Sequence, residues 1–190
     1  MLGRGYIALP HLRGRVAELR NRLARARYFR GHGVHSPFVY DIVRHVFMSH
    51  KLLGSDTSLR NVLLAAGVGG LRALELQNLM IHCGYHTFAV CGGSFDEPAG
   101  ALAVEGGVAS GANVELYVLL SGLSEDETWH MVHQAAGCGA TVAVVTPYAD
   151  PKRERMCRAM IFEHSSTTVD NRGYLLIFNN KCLPKQHFRI

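Results

Sequence analysis

The chain has 190 residues, 48% hydrophobic and 18% charged, with a formal net charge of +5. That length suits one domain with an arm, able to bury a core without staples and too apolar for disorder. No apolar run reaches the ~18–20 residues of a membrane-spanning helix, and five cysteines without a C-x-x-C pair form no disulfide framework.

The charge is concentrated at the start. Residues 1–51 hold ten basic side chains against Glu18 and Asp41, so the rest of the chain is mildly acidic. The cysteine usage and the lack of a continuous apolar leader point to a reducing, cytoplasmic setting. The Arg-rich, acid-poor start also matches a mitochondrial transit peptide in composition. Leu9, Leu12, Val16, Leu19, Leu23 and Ala26 step by three and four. This predicts a helix over 9–29 with arginines on its flanks. Such a seam packs on the body or on a second copy, giving a homo-oligomer. A basic helix can also meet nucleic acid or an anionic surface.

Gly31 and Gly33 end that helix. Ser36 is a good N-cap and Pro37 suits a first helical position. A second helix is expected over 37–51, burying Phe38, Ile42, Val46 and Phe47. His32 and His35 beside its start either meet an anion or pack the corner. The organisation read here is a basic helical arm and second helix over 1–51, then an α/β domain over 52–190.

From Ser58 the expected order is helix, strand, helix, strand, helix, strand, strand. Residues 58–83 read as one or two helices, with Leu71, Leu74, Leu76, Leu79 and Met80 mostly on one face. Val62 to Ala66 before Gly67-Val68-Gly69-Gly70 can also be read as strand and turn. Short apolar runs at 87–91, 114–120 and 141–145 predict buried strands. A helix over 124–136 starts at Ser124, with Glu125, Asp126 and Glu127 favouring its positive end. Pro151 opens a helix over 151–163. Residues 173–179 form a fourth strand and 186–190 a last edge strand. Alternating strands and helices imply a parallel sheet with helices on both faces. Ligands then meet the carboxyl ends of the strands, at turns 91–98, 121–124 and 146–150.

The glycine turn at Gly92 and Gly93 lets a backbone approach a ligand, without the full G-x-G-x-x-G spacing. His130 and His133 stand three apart on a helix, with no H-E-x-x-H. No metal is expected. Ser94, Ser121 and Cys91 are nucleophiles by type only, since no G-x-S-x-G surrounds either serine.

Gly33-Val34-His35-Ser36-Pro37-Phe38-Val39-Tyr40 after a basic helix, and Gly173-Tyr174-Leu175-Leu176-Ile177-Phe178 with Lys185-Gln186-His187-Phe188-Arg189-Ile190, carry a resemblance. They resemble the two ends of bacterial class I S-adenosylmethionine-dependent methyltransferases of O-methyltransferase type, common in Bacteroidetes. The resemblance implies a Rossmann-like sheet of reduced strand number. It implies S-adenosylmethionine at Gly92, Gly93 and Ser94, with Glu105 on the ribose. Three acidic positions of the family are replaced, near Val90, at Ser121-Gly122 and at Thr146-Pro147. A charged contact of roughly 1.5–3 kcal/mol is lost with each carboxylate. The expected function is therefore a methyltransferase-like protein with weakened or lost catalysis. The alternatives are a non-catalytic interaction protein, with Phe95 or Tyr148 filling the pocket, and a binder of nucleic acid through the arm.

Overall fold

A computed structural model describes residues 35–93 and 114–190. The expected 9–29 helix, Ser94, Phe95 and Glu105 lie outside the described residues. The helices are α1 (Pro37–Ile42), continued by a π-helical stretch over Val43–Phe47, α2 (Ser58–Ala65), α3 (Gly70–Cys83), α4 (Glu125–Cys138) and α5 (Pro151–Glu163). The strands are β1 (Phe88–Cys91), β2 (Leu116–Leu119), β3 (Thr141–Val145), β4 (Thr167–Asp170), β5 (Tyr174–Ile177) and β6 (Gln186–Arg189).

The six strands form one sheet in the order β1-β2-β3-β5-β4-β6. β1, β2 and β3 pair in parallel, and β4 pairs in parallel with β6. β5 runs antiparallel to both β3 and β4. The all-parallel expectation is thus corrected: one reversed strand sits inside the sheet. β4 is a further correction, because residues 167–170 are not among the expected strands.

Period-two alternation divides each strand between two apolar layers. Phe88, Val90, Leu116, Val118, Ala143, Val145, Tyr174 and Leu176 face one layer. There they meet Ile42, Val43 and Val46 and the α3 residues Leu76, Leu79 and Met80. Ala89, Tyr117, Leu119, Val142, Val144, Leu175 and Ile177 face the other. That layer is closed by Val132 and Ala135 of α4 and by Met156, Cys157 and Met160 of α5. Helices therefore cover both faces of an α/β sheet.

Local chemistry places the helix ends. The Ser36 hydroxyl accepts from Val39 N at 3.4 Å, with Pro37 opening α1. The π turn follows, and the helical segment ends short of residue 51. The 58–83 stretch is two helices, so the alternative strand at Val62 to Ala66 is overturned. Leu71 is 42% exposed, off the buried face that holds Leu76, Leu79 and Met80. Ser124 and Glu127 form a capping box on α4, and Asp150 caps α5.

Candidate functional site

The carboxyl ends of β1, β2, β3 and β4 lie along one edge of the sheet, and the glycine turns gather there. Gly92 has φ +84, which favours glycine. A Cβ on it would stand 2.7 Å from Leu123 Cγ and 2.9 Å from Leu123 N. A Cβ on Gly122 would fall on the Gly92 carbonyl oxygen. The two turns meet backbone to backbone, so both glycines serve close packing. Gly93 follows at the end of the described segment.

Arg153, from the first turn of α5, closes the next stretch of this edge. Its guanidinium donates to the carbonyls of Val145 (3.0 Å from Nη2, 3.3 Å from Nε), Leu120 (3.3 Å) and Leu119 (3.4 Å). The residue is only 7% exposed. Burial pulls its pKa down, while Cys157 and Asp150 act to raise it. A planar fork with five donors suits this arrangement of carbonyls at the ends of β2 and β3. The recess beside it is about 160 Å³, lined by Ser121, Ser124, Asp150, Lys152 and Arg153 among others. A site for a drug-sized ligand occupies roughly 300–1,000 Å³.

Thr146, just past β3, has φ +51. A β-branched residue in the left-handed region is strained. Its N–H donates to the Gly173 carbonyl at 2.9 Å, and its hydroxyl to the Val145 carbonyl at 2.8 Å. Further along the edge, the Tyr148 hydroxyl donates to Asp170 Oδ2, and the Arg189 guanidinium lies 5.4 Å from the Tyr148 ring centre. Burial, then the Asp170 carboxylate, push the Tyr148 hydroxyl pKa up. Tyr148 is thus engaged by Asp170 and Arg189.

A buried carboxylate stands behind this edge. Glu75 of α3 is fully buried and accepts from the Tyr174 hydroxyl at 3.1 Å and from Asn171 Nδ2 at 3.2 Å. Asn171 Oδ1 in turn accepts from the backbone of Gly173 (3.0 Å) and Tyr174 (2.9 Å). This network fixes the β4–β5 turn against α3.

Among the described residues, the opposite edge carries a larger cleft than the recess beside Arg153. A cleft of about 690 Å³ is lined by Asp41, His82, Cys83, Tyr85 and Thr141 among others. The Tyr85 and Thr141 hydroxyls are 2.7 Å apart. Asp41 Oδ2 is 2.7 Å from His82 Nε2, and Asp41 Oδ1 is 2.9 Å from His45 Nδ1. The His82 hydrogen bond holds the Asp41 carboxyl below the usual range. Burial pushes the Cys83 thiol up to about 11.

Of the expected site residues, Gly92 and Gly93 reach the carboxyl edge, while Ser94 and Glu105 lie outside the described residues. His133 stacks on Trp129 with ring centres 5.5 Å apart. Sequence reasoning missed Arg153, Glu75 and the Asp41–His45–His82 group. Only the four-residue spacing of Asp41 and His45 on one helical face was there to be read. Comparison with known proteins yields no match to a protein family, a curated protein or a solved structure.

Proposed function

We propose that this protein is a methyltransferase-like member of the Rossmann-like α/β class that has lost catalysis and acts as an interaction protein. The observation that carries the reading is the closure of the carboxyl edge by Arg153. In an open α/β sheet, ligands bind outside the carboxyl ends of the strands. Here the carbonyls at the ends of β2 and β3 are taken by a buried guanidinium. A nucleoside-bearing cofactor over these strands would have to displace it and leave those carbonyls unpaired, at about 1–3 kcal/mol each. Gly92, just after β1, is packed in the same sense, with Leu123 against it.

Three adjacent parallel strands with helices on both faces support the Rossmann-like part of the reading. The two segments that carry the family resemblance support the methyltransferase-like part. In the interaction reading, the 9–29 seam is the surface that pairs with a second copy or with an active relative.

Calorimetric titration of the full chain with S-adenosylmethionine and with its demethylated product tests the proposal. The expected result is no binding heat from a folded sample. Micromolar binding of either compound would overturn the closed-edge reading by showing a live cofactor site, with Gly92, Gly93, Ser94 and Glu105 as its expected residues.

A further inference from the structure

We propose that Asp41, His45 and His82 form a site for one divalent transition-metal ion, on the rim of the cleft at the amino edge of the sheet. The site is independent of the methyltransferase-like reading. It lies where the parallel strands begin, beside a cleft lined by Thr141 at the start of β3.

Two elements bring the three side chains together. Asp41 is near the end of α1, and His45 is four residues on, in the π-helical stretch, so both project from one face. His82 comes from the last turn of α3. One ligand atom from each residue can be chosen so that all lie within 4.8 Å of one another. The two imidazoles stack at 5.3 Å with planes 18° apart, and both turn a nitrogen to the same carboxylate. With metal–ligand bonds of about 2.0–2.2 Å, neighbouring ligand atoms in a shell stand roughly 3 Å apart. The nitrogen–oxygen distances of 2.7 and 2.9 Å are already close to that. Loading therefore takes side-chain rotation and no rebuilding of the backbone. The side chains can move, since Asp41 and His45 are 51% and 53% exposed and His82 22%.

The donor set selects the ion. Two imidazoles and one carboxylate suit zinc, nickel, cobalt or ferrous iron, whereas magnesium and calcium prefer all-oxygen shells. Cys83 follows His82 directly and lines the same cleft. The group itself supplies three protein ligands, Asp41, His45 and His82. The remaining coordination positions are open to water from the cleft.

The metal-free contacts are those of a hydrogen-bonded tie between α1 and α3. His45 Nδ1 also lies 3.0 Å from the Asp41 carbonyl oxygen. A tie needs N–H groups on the nitrogens that face Asp41, whereas a metal needs lone pairs on the same atoms. Substitution separates the two. His82→Gln can still donate to Asp41 and removes a metal ligand, and Asp41→Asn removes the charge.

The test is calorimetric titration of the full chain with zinc chloride at pH 7.5, with magnesium chloride as the contrast. The expected result is one zinc per wild-type chain, at least about tenfold weaker affinity in both variants, and no magnesium binding. Zinc should raise the melting temperature of wild type alone. Should His82→Gln fail to fold by circular dichroism, His45→Ala on the exposed side replaces it with the same expected loss. An isotherm unchanged in the folded variants would overturn the proposal by placing zinc on other histidines or cysteines. No zinc binding to wild type at millimolar concentration would overturn it as well.

Discussion

At the carboxyl edge of the sheet, the protein's own groups occupy the strand ends: Arg153 on the carbonyls of β2 and β3, Leu123 on Gly92, and the Gly122 turn on the Gly92 carbonyl. At the amino edge, Asp41, His82 and Cys83 stand around some 690 Å³ of cleft. The first edge is where a sheet of this class holds a ligand, yet here it is built like a core. Among the described residues, the second keeps more room. Filling an edge with buried backbone contacts makes it intolerant of change, while an open edge tolerates movement and keeps reactive groups within reach.

The largest test of that contrast uses one substitution at two places. Gly122→Ala drives a methyl group into the Gly92 carbonyl, and we expect a loss of about 2–4 kcal/mol in urea unfolding. Gly137→Ala, near the end of α4 with nothing within 4 Å of the new Cβ, should gain about 0.5–1 kcal/mol. Equal effects at the two sites would remove the claim that the carboxyl edge is rigidly packed.

Next in size is Arg153→Met, which strips the donors from the Leu119, Leu120 and Val145 carbonyls. We expect about 2–3 kcal/mol of lost stability. Arg153→Lys should recover little of it, because one ammonium cannot reproduce the fork. A loss below about 0.5 kcal/mol, the size of an ordinary surface change, would mean that water serves those carbonyls equally well.

Thr146→Asn probes the strained turn between β3 and α5. Asparagine tolerates the left-handed region, so a gain of about 0.5–1 kcal/mol is expected. No gain would mean that the lost hydroxyl bond to the Val145 carbonyl offsets the relieved strain.

The smallest effect is chemical and compares two thiols held up to about 11 by burial, Cys83 and Cys157. At pH 8 each is thiolate in only about one molecule in a thousand. Raising the pH toward 11 should speed alkylation of Cys83, which lines the cleft. Cys157, on the buried face of α5, should react only at the rate of opening. Alkylation of both at one rate, followed by mass spectrometry, would show that the cleft does not admit the reagent.

Much of the scaffold is legible where a strong local signal sits at an element's end. β3 and α5 fall on their expected ranges, and α4 starts beside Ser124, because caps and apolar runs act within a few residues. β4 is invisible for the opposite reason. Thr167 and Thr168 form no apolar run, and their burial is made possible by partners much later in the chain. Thr167 Oγ1 donates to the Pro184 carbonyl at 2.9 Å, and Thr168 Oγ1 is 2.9 Å from His187 Nδ1. The reversal of β5 leaves no mark in its apolar run, since periodicity reports faces and not direction. At the candidate site, the glycines at 92 and 93 were legible as a turn. What Gly92 does there depends on Leu123, which no spacing rule connects to it. Arg153 and Glu75 carry no local sequence signal of burial, and only the assembled sheet shows them buried.

The reversed strand also sets an order of assembly. β4 and β5 are joined by a short turn that Asn171 organises through its own side chain, so their pairing closes a small loop quickly. β5 is also the second neighbour of β3, but that pairing closes a much longer stretch of chain. We expect the β4–β5 hairpin to form before β5 docks on β3, because its closing loop is the shorter. Pulsed hydrogen exchange should protect the amides shared by β4 and β5 before those shared by β3 and β5.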